Sequence, residues 1–224
     1  MRLAALVSGG KDSVFALYKA QHMGHDVEVL AAMVSERSDS YMFHFPNIHM
    51  TYYVADALEI PLVSAVTSGI KEKELEDLKR LLVSLDVEGV VTGAIASSYQ
   101  KERVDRICEE LGIVSVAPLW RQDPLTIMEE LIALRFKAII VGVYAYGLDH
   151  SWLGKEIDTQ TLERLVELNE KYQVSLVGEG GEYESLVLDA PIFKRRIEVV
   201  EAETCYENGS GVFVVKEARL VSKG

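Results

Sequence analysis

Cysteine is nearly missing from this sequence. Its 224 residues hold two, Cys108 and Cys205, and they form no Cys-x-x-Cys pair. A disulfide framework and a cysteine zinc site are therefore not expected, and a reducing compartment, the cytoplasm, suits the chain. Cys108 shares an apolar helical face with Val104, Ile107 and Leu111, which favours packing over reactivity. Positive charge is also scarce: 23 Lys and Arg stand against 35 Asp and Glu, a net charge of −12. Affinity for phosphate backbones rests on clustered basic side chains, so a general nucleic-acid surface is not expected. Apolar runs such as Ala138 to Val143 are strand-sized, and none approaches a membrane span. The chain enters its first predicted strand at once, so no signal peptide is expected. Internal repeats and low-complexity tracts are lacking too. With 49% hydrophobic and 26% charged residues, the composition is that of a soluble globular protein with one large domain or two small ones.

Against this background the stretch Leu3 to Ser13, Leu-Ala-Ala-Leu-Val-Ser-Gly-Gly-Lys-Asp-Ser, stands out. Leu3 to Val7 is wholly apolar, as in a strand buried on both faces of a parallel sheet. Ser8, Gly9 and Gly10 interrupt it, and adjacent glycines let a ligand approach the main chain closely. Beyond Lys11, Val14, Leu17 and Tyr18 recur at helical spacing. Strand, glycine turn and helix in that order aim free backbone N–H groups and the positive end of a helix dipole at one point. Lys11 adds a full charge; Ser8 and Ser13 add hydroxyls. The expectation is a phosphate cradle; the plain alternative is an ordinary tight turn. The usual P-loop fits worse, because Ala5 stands where it needs glycine and Asp12 where it needs Ser or Thr.

The chain then alternates strand and helix. Strands are expected at Val27–Val34, Leu62–Val66, Glu88–Thr92 and Val114–Ala117. Glu36 to Asn47 reads as a long loop, a common form of lid. His44 and His49 lie within or just past it. Five residues apart, they share no helical face, and surface or substrate-loop histidines are favoured over metal ligands. Asn47 is a candidate N-cap for a helix ending near Leu58. Lys71 to Leu85 is an amphipathic helix with Leu75, Leu78, Leu82 and Leu85 inward and a Glu76–Arg80 surface pair. Four such alternations predict a doubly wound, five-stranded parallel sheet of order 3-2-1-4-5, with right-handed crossovers and its ligand at the carboxyl ends of the strands. The loop Thr92 to Gln100 should then face Ser8 to Ser13. Arg103 on the next helix either reaches phosphate or serves as a surface partner. Trp120 reads as a packing residue at a domain junction.

From Asp123 the pattern changes. Asp123 caps a helix with Pro124 at its first position and Leu125, Met128, Leu131 and Ile132 inward. A buried strand (138–143), an aromatic loop (144–154), a helix (159–172) and a hairpin turning at Asn208-Gly209 follow, and together they are expected to form a smaller mixed α/β domain. We place the boundary so that 1–120 is nucleotide-binding and 121–224 substrate-binding. Gly178-Glu-Gly-Gly-Glu-Tyr-Glu-Ser185 packs three carboxylates among three glycines. These repel one another and must be exposed or paired with cations. It reads as a flexible acidic turn or as a cation site, and the buried run from Leu186 favours the second by pinning the loop to a sheet.

Ser8-Gly-Gly-Lys-Asp-Ser13 resembles the PP-loop of the N-type ATP pyrophosphatases, whose fold is HUP-like (adenine nucleotide alpha hydrolase-like). Added to it are Thr92-Gly-Ala-Ile with Tyr99-Gln100, Pro118-Leu-Trp120, Gly147-Leu-Asp with Trp152-Leu-Gly, and Gly178-Glu-Gly-Gly-Glu-Tyr-Glu-Ser-Leu-Val-Leu-Asp-Ala-Pro191. The full set, spread over nearly the whole chain, resembles the diphthine–ammonia ligase (diphthamide synthetase) family; Ser185 departs from an expected Thr. The resemblance implies ATP-dependent amidation of diphthine on translation elongation factor 2 by free ammonia, through an acyl-adenylate, with release of AMP and pyrophosphate. It assigns the nucleotide to Val7, Ser8, Gly9, Gly10, Lys11, Asp12 and Ser13, to the backbone near Met33, and to Gly93 and Arg103. Lys11 and Asp12 are the candidate catalytic residues, and Asp12 the candidate ligand of a Mg²⁺. Tyr99, Gln100, Tyr146 and Trp152, with Glu179, Glu182 and Glu184, fall to the acceptor. Our own expectation is that the carboxylates hold diphthine's trimethylammonium beside aromatic faces, with Mg²⁺ coordination as their rival role. Neither nucleic acid nor membrane is an expected partner, and a homo-oligomer stays open. Two other readings remain: a tRNA-modifying PP-loop enzyme, which would want a basic surface, and a non-catalytic ATP-binding sensor, which would leave ATP whole.

Overall fold

The computed structural model describes residues 1–35, 47–68 and 70–223. Five parallel strands form the first sheet: β1 (Arg2–Leu6), β2 (Asp26–Ser35), β3 (Leu62–Thr67), β4 (Gly89–Val91) and β5 (Val114–Val116). Their order is β3-β2-β1-β4-β5, as the alternation predicts. Between them run α1 (Lys11–His22), α2 (Thr51–Leu58), α3 (Lys71–Val83) and α4 (Ser98–Leu111). Apolar strands need cover on both faces. On one face Ala31, Met33 and Val90 pack under Leu78 and Leu82 of α3 and Val104, Ile107 and Cys108 of α4. On the other, α1 and α2 bury Val14, Phe15, Leu17, Val54 and Leu58.

The remainder builds a second, antiparallel sheet. Its strands are β6 (Lys137–Val143), β7 (Tyr183–Asp189), β8 (Arg195–Glu207) and β9 (Ser210–Ser222), in the order β7-β6-β9-β8. α5 (Pro124–Ala133) and α6 (Thr159–Tyr172) complete it. Asp123 caps α5 by accepting from Thr126 N at 2.9 Å. Leu125 is 37% exposed, contrary to the inward face expected, and Ile127 takes its place beside Met128 and Leu131. One core joins the two sheets: the Phe15 and Phe136 rings meet edge to face at 5.5 Å.

Three further expectations are corrected or relocated. Asn47 makes no side-chain cap; a 3-10 turn, Ile48–Met50, precedes α2. Its buried amide instead donates to Phe213 O and accepts from Val215 N, both at 2.8 Å. Arg80 pairs with Asp77, at i,i+3, rather than with Glu76 at i,i+4. His49 lies 2.9 Å from Val215 O through Nε2, a backbone contact; His44 and most of the expected lid lie outside the described residues. Among the described residues no helix is long and apolar enough to cross a membrane.

Candidate functional site: a cavity between the phosphate loop and the acidic loop

The carboxyl ends of β1, β2 and β4 open into a cavity of about 590 Å³, the place where a doubly wound sheet takes its ligand. The Ser8–Ser13 turn forms its floor. Gly9 adopts a left-handed φ of +83°, affordable for glycine alone. The turn is braced from within: Gly10 N donates to Ser8 Oγ (3.3 Å), and Ser13 Oγ donates to Gly10 O (3.0 Å). It is also braced from the second sheet. Val187 N donates to Gly9 O at 2.9 Å, and Lys11 N donates to Ser185 Oγ at 3.1 Å. Strand β7 thus docks on the phosphate loop, and the Ser185 hydroxyl is put to use.

Lys11 is 2% exposed, so its charge acts from beneath the loop. Its ammonium donates to Val177 O and to Asp12 Oδ2 at 3.0 Å, and sits 5.1 Å from the centre of the Tyr183 ring. Burial pushes the Asp12 carboxyl above its ordinary value; Lys11 opposes the shift and Glu179 adds to it. Asp12 Oδ1 is buried with no hydrogen-bond partner among the described residues. A carboxylate so placed has one oxygen ready for a cation. Among the described residues no group of three or more His, Cys, Asp or Glu could hold a metal by itself. Asp12 is the residue here that could hold a Mg²⁺, which would supply neutralisation of phosphate charge.

The walls divide chemically. Leu6, Ala31, Met33 and Val104 line an apolar part; Thr92, Gly93, Ala94 and Ser97 line the β4–α4 side. A Cβ on Gly93 would fall 2.7 Å from Asp12 C, so the two loops are in backbone contact, as the expected strand order requires. Tyr144, Glu179, Gly180, Gly181 and Glu184 complete the lining. The three carboxylates of the acidic loop have separate fates. Glu179 accepts from Ile95 N and Ser97 N (2.7 and 2.9 Å) and from Ala96 N. Glu182 accepts from Ser175 N at 3.2 Å. Glu184 keeps Oε2 buried without a partner among the described residues, and burial pushes it up to about 8. Burial and the Glu184 charge together raise the Tyr144 hydroxyl.

Of the residues expected at the site, Val7, Ser8, Gly10, Lys11, Asp12, Ser13, Met33, Gly93, Gln100, Glu179 and Glu184 line this one cavity. Gly9 shapes its floor from behind. Arg103 turns back on Tyr99, its guanidinium 3.4 Å from the ring centre and bonded to Tyr99 O at 3.2 Å; neither lines the cavity. Tyr146 is 79% exposed and packs edge-on to Tyr172. Trp152 is 2% exposed, a core residue under the Arg164 guanidinium at 4.2 Å. The sequence reading missed Lys101, a lining residue whose ammonium pairs with Asp105. Its signal was its place on the first turn of α4, next to Gln100.

A doubly wound sheet with a PP-loop at the carboxyl end of β1 defines an α/β nucleotide-binding protein. Comparison with known proteins narrows this. Residues 1–115 match the family model of the diphthamide synthase N-terminal domain, and 123–221 that of the C-terminal domain. The chain is similar to the human diphthine–ammonia ligase, 37% identical over 99% of this chain and 91% of the human one. It is also similar to the bovine one, 37% identical over 91% of this chain and 84% of that protein. The enzyme of Schizosaccharomyces pombe is 36% identical over 92% of this chain, which spans 38% of the yeast protein's length. This chain belongs to the diphthamide synthase family. Among solved structures, a predicted subunit of tRNA methyltransferase from Methanocaldococcus jannaschii is similar at 14% identity and a TM-score of 0.44, over 85% of this chain and 98% of that one; nothing here rests on that likeness.

Proposed function

We propose that the protein is an ATP-dependent ligase that amidates diphthine, the modified histidine of translation elongation factor 2, with ammonia. One observation carries the reading: a single cavity joins a phosphate loop to a buried, unpaired carboxylate beside an aromatic ring. Diphthine carries a carboxylate to be activated and a trimethylammonium to be held. The nucleotide would lie with its base against Met33 and Ala31 and its outer phosphates on Ser8–Ser13. Glu184, with the face of Tyr144, would take the trimethylammonium; Glu182 also keeps an oxygen without a partner among the described residues, but only Glu184 combines that with lining the cavity. Residues 1–120 would then hold ATP, and 121–224 would present the acceptor.

In the reaction, a diphthine carboxylate oxygen attacks the α-phosphorus, and the bond to the β-phosphate breaks. This gives an acyl-adenylate and pyrophosphate. Ammonia then attacks the carbonyl carbon, loses a proton, and expels AMP, which keeps the carboxylate oxygen. Adenylation is needed because a carboxylate oxygen is a poor leaving group. The α1 amides and the Lys11 ammonium stabilise charge on the departing pyrophosphate. Asp12 Oδ1 would hold Mg²⁺, whose contribution is to neutralise phosphate charge. Acceptor labelled with oxygen-18 in its carboxylate tests the reading: label should appear in AMP. Amide formed without label in AMP would reject the adenylate.

A further inference from the structure

The cavity contains two helix starts, and helix starts attract anions. The α1 start is the phosphate loop. The backbone leading into α4, which ends at its N-cap Ser97, is already filled from within. Ile95 N and Ser97 N reach Glu179 Oε1 at 2.7 and 2.9 Å, and Ala96 N reaches Oε2. Three successive amides on one carboxylate is the arrangement in which backbone nests hold bound anions. Glu179 arrives from the far sheet, more than eighty residues along the chain. Two residues before it, the Val177 carbonyl takes the Lys11 ammonium at the other helix start. Val177–Glu179 is therefore a strap across the cavity, tied to α1 at one end and to α4 at the other. The strap packs closely on β7. Gly178 has φ +71°, and a Cβ there would fall 2.7 Å from Tyr183 O.

We propose that Glu179 is a positioning residue: an internal anion that fills the α4 nest and sets the opening of the nucleotide cleft. The three amides leading into α4 are then closed to phosphate, and the triphosphate depends on α1. This rests on the nucleotide-binding reading but not on the identity of the acceptor.

The sign of one measurement separates positioning from plain charge. Removing a carboxylate beside a polyanion site should, by charge alone, tighten ATP binding. Positioning requires the reverse. By calorimetry, Glu179→Ala should weaken ATP binding about tenfold, the scale that small misplacements in a site produce. Glu179→Gln keeps an oxygen for the two amides that share Oε1 and should lose about threefold. Acetate should return Glu179→Ala part of the way to wild-type affinity by entering the vacated nest, a response that a merely structural residue would not give. Amides 95 and 97 should exchange slowly in the wild type and in Glu179→Gln, amide 96 slowly in the wild type alone, and all three fast in Glu179→Ala. Unchanged or tighter ATP binding, no acetate response, or equal exchange rates would overturn the proposal. If Glu179→Ala fails to fold, affinity and exchange in Glu179→Gln decide it. If the wild type itself does not bind ATP, the nucleotide reading fails, while the exchange rates still test the clamp.

Discussion

At the scale of single residues, burial decides what the charged groups can do. Glu184 is pushed up to about 8 by loss of water. Such a group binds more protons folded than unfolded, so its contribution to stability falls as pH rises from the ordinary carboxylate range through about 8. A bound cation reverses this by favouring the charged form. Acceptor affinity should therefore climb as pH approaches about 8, and Glu184→Gln should flatten that profile and weaken acceptor binding about tenfold. Titration of acceptor binding against pH checks both. A second contrast concerns the thiols. Burial lifts Cys108 to about 11, whereas Cys205 is exposed. Only the thiolate reacts, so iodoacetamide near neutral pH should label Cys205 and leave Cys108, as mass spectrometry would show. Cys108's packing role was legible from its apolar helical face. The division of labour among Glu179, Glu182 and Glu184 was not, because their hydrogen bonds come from Ile95–Ser97 and Ser175, which no local pattern points to.

At the scale of elements, the close approach of the phosphate turn to the β4–α4 loop carries the site. A methyl on Gly93 would meet Asp12 and Ser13 backbone at 2.7 and 2.8 Å. Gly93→Ala should cost about 1–3 kcal/mol of stability, as overpacking does, and weaken ATP binding; urea unfolding and calorimetry read the two. Asn47→Ala would strand Phe213 O and Val215 N and cost about 2–4 kcal/mol, since each unpaired buried group costs about 1–3. Here ATP binding should hardly change. Strand and helix periods made the first sheet readable in its order, because an apolar strand followed by an amphipathic helix has few other ways to bury both faces. Asn47 misled for a physical reason: an Asn before a helix looks like a cap, and only the fold shows that β9 passes close enough to claim its amide.

At the scale of the whole molecule, the second sheet completes the first. Val187 N on Gly9 O and Ser185 Oγ under Lys11 N bind residues more than 170 positions apart, so the phosphate loop is shaped by both ends of the chain. Its glycines and lysine were plain in the sequence; the docking of β7 against it was not, since hydrogen bonds across such a separation leave no mark in local spacing. The aromatic loop was over-read for a similar reason. Trp152 is apolar enough to be core, and the core claimed it. What the account asserts above all is that the Ser8–Ser13 turn holds the outer phosphates of ATP while the base lies toward Met33. A crystal soaked with ATP tests this directly. The account predicts triphosphate density on the amides of Ser8 to Ser13, with the α-phosphate turned toward Glu184 and Tyr144. Triphosphate bound at the α4 start or outside this cavity would contradict it.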